Sequence, residues 1–107
     1  MKEICKLAQE KRFKAKTVST QVAYKFHLGI GKNMMLNDMC DYLLLCEIQK
    51  WIREEFNSII FIFNRAKSEW NFTLSEDNIS GASSRDYIFI TYGEALKAGI
   101  KEALKIN

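Results

Sequence analysis

The chain has 107 residues, of which 48% are hydrophobic and 27% charged, and carries a formal net charge of +3. That length corresponds to one ordinary domain, and that composition excludes a disordered or low-complexity polypeptide. The longest apolar runs, Leu43–Cys46 and Ile59–Phe63, are too short to cross a bilayer, so no membrane association is expected.

Residues 2–12 read as a short amphipathic helix, with Ile4, Leu7 and Ala8 on one face. A basic connector, Phe13-Lys14-Ala15-Lys16, follows. Residues 21–28 alternate, with Val22, Tyr24, Phe26 and Leu28 opposite Gln21, Ala23, Lys25 and His27. Period two predicts a half-buried strand. Gly29-Ile30-Gly31-Lys32-Asn33 then reads as a turn, and Met34-Met35-Leu36 as a short return strand.

Residues 39–56 carry the longest helical stripe: Leu44, Leu45, Ile48, Trp51, Ile52 and Phe56. Asp38 is placed to cap it, and Asn57 to stop it. The run 58–63 is apolar on both sides, which predicts a central strand covered on both faces. Residues 69–74 alternate, with Trp70, Phe72 and Leu74 inward, and 58–75 thus form an antiparallel hairpin. A polar loop containing Gly81 spans 75–85, and Tyr87-Ile88-Phe89-Ile90 supplies β-formers for a third strand over 86–90. Thr91-Tyr92-Gly93-Glu94 fits a capping box, with Glu94 reaching back to the N–H of the cap residue. Leu96, Gly99, Ile100, Ala103 and Leu104 then form the core face of a helix over 92–105.

The fold class expected is therefore α+β: an antiparallel sheet of three to five strands packed with helices at about 2–12, 39–56 and 92–105. A single domain would join a helix and basic hairpin extension (1–36) to a helix-strand-strand-strand-helix core (37–107).

Charge is uneven. Residues 1–32 hold eight basic groups, among them Lys11, Arg12, Lys14 and Lys16, against Glu3 and Glu10, whereas residues 33–107 are net negative. Such asymmetry fits an anionic partner, or lysines that simply solvate a helix and loop. The three cysteines, Cys5, Cys40 and Cys46, have no framework spacing, and Met1–Lys6 has no apolar leader pattern. A cytoplasmic protein with reduced thiols is expected.

No catalytic constellation is legible. His27 is the only histidine, on the polar side of its expected strand. Cys40 and Cys46 do not face each other on a helix, and no Cys-x-x-Cys exists for a metal. Glu54-Glu55 and Glu76-Asp77 are neighbours that diverge or lie in a loop. Gly29-Ile30-Gly31-Lys32 lacks the spacing of a phosphate loop. The element order of residues 42–105 is similar to that of double-stranded-RNA-binding domains, yet the last helix opens on Glu94 where those domains place lysines.

Ile48-Gln49-Lys50-Trp51-Ile52-Arg53-Glu54 and Thr91-Tyr92-Gly93-Glu94-Ala95-Leu96-Lys97-Ala98-Gly99-Ile100-Lys101-Glu102-Ala103-Leu104-Lys105 carry a resemblance. The chain resembles small uncharacterised proteins encoded by phages and prophages of gut-dwelling anaerobic bacteria. Those show a Q-K-W-L-R-E helix, short aromatic strands and a T-Y-E-E-A-L-x-x-G-L-x-x-A-L-K helix. Gly93 departs from that pattern, and residues 14–43 read differently. Trp51, Thr91, Glu94, Leu96, Ile100 and Leu104 are the structural signature. The resemblance implies a mobile-element setting and brings no activity or catalytic residue with it. The expectation is a non-enzymatic accessory protein, without cofactor, that binds another protein or a second copy of itself. The alternative is a nucleic-acid-binding accessory protein using Lys11, Arg12, Lys14 and Lys16.

Overall fold

Local capping and one apolar stripe per element set the architecture. A computed structural model describes residues 1–30, 38–75 and 88–107. Its elements are α1 (Lys2–Glu10), α2 (Val18–His27), α3 (Asp38–Phe56), β1 (Ile59–Ala66), β2 (Glu69–Ser75) and α4 (Tyr92–Ile106). The expected strand at 34–36, the Gly81 loop beyond Ser75, residues 86–87 and the capping side chain of Asp38 lie outside what is described.

α1 buries Ile4, Cys5 and Ala8 and ends at Arg12, whose φ of 69° is left-handed. The N–H groups of Lys11, Arg12 and Phe13 close on carbonyls of Leu7, Ala8 and Gln9, which satisfies the helix end. This turn drives Phe13 inward. Its ring is 4% exposed and meets Tyr24 and Trp51 edge-on at 5.2 and 5.1 Å.

The strand expected over 21–28 is instead helix α2. Thr17 and Thr20 form a reciprocal cap: each hydroxyl accepts from the other's backbone N–H at 3.2 Å. On this helix Thr20, Ala23, Tyr24 and His27 share one face at spacings of three and four. Ala23, with no side chain beyond Cβ, is fully buried. The alternation of Val22, Tyr24, Phe26 and Leu28 was coincidental; Phe26 is exposed and the other three are half-buried.

α3 buries Leu44, Leu45, Ile48 and Ile52, half-buries Trp51 and Phe56, and is followed by Asn57 at φ 54°. β1 and β2 pair antiparallel, with Ile60 opposite Leu74 and Ile62 opposite Phe72. The register shifts between Asn64 and Ala66, leaving Arg65 as the bulge. Asn64 Nδ2 spans the tip, donating to the carbonyls of Ala66 (3.0 Å) and Glu69 (3.4 Å).

Two sequence expectations change here. Among the described residues the sheet has two strands, not three to five. The segment after the loop contributes one bridge, in which Phe89 exchanges both backbone bonds with Trp70 (2.8 and 2.9 Å). And among the described residues β1 is covered by helix on one face only. Ile60 is buried and Ile62 half-buried, whereas Ile59, Phe61 and Phe63 are exposed.

α4 covers the inner face with Leu96, Gly99, Ile100, Ala103 and Leu104, all essentially inaccessible. Thr91 Oγ1 caps it by accepting from Glu94 N–H (3.1 Å). The reciprocal half lands one residue early: Glu94 Oε2 accepts from the N–H of Ile90 (3.2 Å), not of Thr91. α1 is tied to α4 by Glu3 and Lys101 at 2.9 Å, and the Lys101 bond holds the Glu3 carboxyl below its usual range.

Candidate functional site

Two surfaces remain unexplained by folding. The first is the outer face of the hairpin. Ile59, Phe61 and Phe63 are 39%, 44% and 49% exposed, and the two phenyl rings lie 6.5 Å apart, tilted by 23°. Antiparallel alternation from the Trp70–Phe89 bridge puts Ile88 and Ile90 beyond β2 on this same side. They are 58% and 65% exposed. A full side chain of this size offers roughly 150–250 Å². The five residues together present on the order of 400–500 Å² of apolar surface, in two strips separated by the β2 residues Asn71 and Thr73, of which Asn71 is buried.

The second surface is the connector that follows α1. Lys11, Arg12, Lys14 and Lys16, the candidate phosphate contacts, flank the buried Phe13 and the half-buried Ala15. Lys25 of α2 joins them: it lines one groove of about 300 Å³ with Phe13, Lys14, Ala15, Gln21 and Tyr24. The sequence holds no carboxylate between Glu10 and Asp38. Among the described residues, no ion pair engages any of these five cations. The far end of the connector is pinned where Lys16 N–H donates to Glu47 Oε1 at 2.8 Å.

His27 does not sit on a solvent-facing strand. Its Nε2 lies 2.7 Å from Asp41 Oδ1, with side chains 15% and 30% exposed, so the pair ties α2 to α3. A carboxylate in this position fixes the ring's orientation. Burial pushes the Cys5 thiol up to about 11, which makes it a poor nucleophile at neutral pH. Cys40 and Cys46 are half-buried, and none of the three cysteines forms a disulfide. No group of three or more metal-ligating side chains assembles among the described residues.

A wider groove of about 480 Å³ lies between the start of α2 and α3, lined by Thr17, Ser19, Thr20, Leu43, Cys46, Glu47 and Lys50. Glu47 Oε2, beside it, is buried and makes no hydrogen bond. No described helix is long and apolar enough to cross a membrane.

The signature residues divide by role. Leu96, Ile100 and Leu104 are core, Thr91 and Glu94 cap α4, and Trp51 closes the aromatic cluster with Phe13 and Phe56 (5.1 and 5.3 Å). Sequence reasoning missed Lys25, Gln21 and Tyr24 because a strand would have split them between two faces. The Thr17–Thr20 spacing was the signal for the helix that unites them. No family model matches the chain, and no curated protein and no solved structure is significantly similar to it.

Proposed function

We propose that this chain is a small accessory protein, of the mobile-element setting its resemblance implies, that acts by self-association through the outer face of its hairpin. The observation that carries the reading is the exposure of Ile59, Phe61 and Phe63 on one face of β1, while α4 seals the other. A single strand apolar on both faces has a folding reason for one set of side chains only.

A second copy suits this face best. Its centre is uncharged, and its hairpin tip carries both signs in Arg65, Lys67 and Glu69. Two such sheets can stack about 10 Å apart about a two-fold axis without burying an unpaired charge. The area also sets the strength. Two faces would bury on the order of 800–1,000 Å², below the roughly 1,200 Å² of stable complexes, so association is transient, with a dissociation constant of micromolar order or weaker.

Sedimentation velocity over a range from about 10 μM to about 1 mM tests this. The weight-average coefficient should rise with concentration, and Phe61→Glu/Phe63→Glu should hold the chain monomeric without unfolding it. A native chain that stays monomeric across the whole range overturns the reading.

A further inference from the structure

We propose that the groove between the basic connector and α2 is a binding site for single-stranded nucleic acid, with Lys14 and Lys25 holding backbone phosphate and Tyr24 walling the base. This surface is separate from the hairpin face and does not depend on self-association.

The connector is prearranged. Arg12 is fixed in the left-handed region by the hydrogen bonds that end α1, Phe13 is plugged between Tyr24 and Trp51, and Lys16 is tethered to α3. The chain entropy of a flexible basic loop is therefore already spent before a ligand arrives. Around this fixed spine Arg12, Lys14 and Lys16 are exposed and Lys11 half-buried, and none has an internal carboxylate partner among the described residues. Cations without internal partners are free to displace the counterions that a polyphosphate carries.

The shape narrows the ligand. A concave site of about 300 Å³ with a lysine from each wall accepts one phosphate-sugar-base unit of a flexible strand. The convex flank of a rigid duplex would touch only its rim. Tyr24 is half-buried, and its hydroxyl is committed to the carbonyl of Phe13 at 3.3 Å, so the ring is held in place rather than free to rotate away. Gln21 is exposed, and its Nε2 donates to Ala15 O at 3.2 Å, which leaves its amide oxygen to accept from a base. A cationic groove with a fixed aromatic wall is the recurring arrangement for single strands. An acidic peptide or an anionic lipid surface would use the lysines and leave Tyr24 and Gln21 idle.

Fluorescence anisotropy with a labelled oligothymidylate, titrated with the full chain at low and fourfold higher salt, is the test. Three to four phosphate contacts predict a loss of about 20–50-fold in affinity over that salt step. Lys14→Glu/Lys25→Glu should weaken binding at least about tenfold and lower the salt slope by about 1.4. Lys97→Glu/Lys105→Glu, an equal charge change on α4, should leave binding nearly intact. Tyr24→Leu should weaken oligonucleotide binding without altering the salt slope, with circular dichroism confirming the fold. The assignment is overturned by salt-insensitive or absent binding, or by equal losses in the two lysine pairs. Tighter binding to a matching duplex or to phosphatidylserine vesicles would overturn it as well.

Discussion

Gly99 lies in the middle of α4, where alanine ordinarily improves a helix by about 1 kcal/mol. Here the opposite is expected. A Cβ at Gly99 would stand 2.7 Å from Ile60 Cγ2, and 3.3 and 3.4 Å from Phe72 Cγ and Cβ. Comfortable carbon contacts are about 3.5–4.0 Å, so the new methyl overlaps Ile60 by roughly an ångström. Ile60 is β-branched and 6% exposed, so its γ2 methyl cannot swing aside within its rotamer. Overpacking of this kind costs about 1–3 kcal/mol, and the close contact favours the upper half of that range. After the helix gain, Gly99→Ala should destabilise by about 1–2 kcal/mol. Urea unfolding followed by the fluorescence of Trp51 and Trp70 measures this. Ile60→Ala alone should cost about 2–5 kcal/mol, but it removes the clashing methyl. In that background Gly99→Ala should become neutral or stabilising, giving a coupling of about 1–3 kcal/mol. A stabilising Gly99→Ala in the native chain, or an equal cost in both backgrounds, would refute the close-approach argument.

Thr17→Ala removes the acceptor for Thr20 N–H and should cost about 0.5–2 kcal/mol, read as a lower urea midpoint. Gly93→Glu should stabilise by about 1 kcal/mol in the same assay, because a Cβ there meets nothing closer than Thr91 Oγ1 at 3.9 Å and the first turn favours an anion. Stability should fall on the alkaline side. Burial raises Cys5 from 9.0 to about 11 and Tyr24 from 10.0 to about 12, so between these values the unfolded chain loses protons that the folded chain keeps. For the inaccessible Cys5 the stabilisation is complete below about pH 9 and declines above it, by up to about 1.4 kcal/mol per pH unit, whereas the half-exposed Tyr24 is screened by solvent and contributes less. In Cys5→Ala the decline between pH 9 and 10 should shrink by more than half, whatever the variant's baseline stability, as equilibrium unfolding at several pH values would show.

Elements with one strong local signal were legible. α3 and α4 follow from their apolar stripes, and the inward set Trp70, Phe72 and Leu74 follows from alternation. The glycine in the A-L-x-x-G pattern was visible as a letter, but its reason was not, because the reason is the distance from α4 to Ile60 on another element. α2 is not legible from hydropathy, because four apolar residues at period two imitate a strand and its Thr17–Thr20 cap carries no hydropathy signal. Ala23 and His27, which carry the contact with α3, look polar or neutral in a hydropathy pattern. The capping box was legible in type but not in detail, since whether Glu94 meets Ile90 or Thr91 depends on how Phe89 docks on β2. The four connector cations were legible as charges, whereas the groove that Lys14 shares with Lys25 needed the helix.

The misreading of β1 bears most directly on function. An unbroken apolar run is normally the mark of a strand sandwiched between layers. In this chain α1 and α4 pack together and α2 packs on α3, so the described helices of the N-terminal segment, residues 2–27, are spent on the helical side. Ile60 and Ile62 are required by that side, and their replacement with polar residues would empty the core. Ile59, Phe61 and Phe63 are not. A sequence under folding requirements alone would place threonine, lysine or glutamate at those three positions, as β2 does with Thr73 and Glu69 on the same face. An exposed aromatic face costs solubility and invites aggregation. Its exposure on β1 is therefore the observation on which the proposed self-association rests.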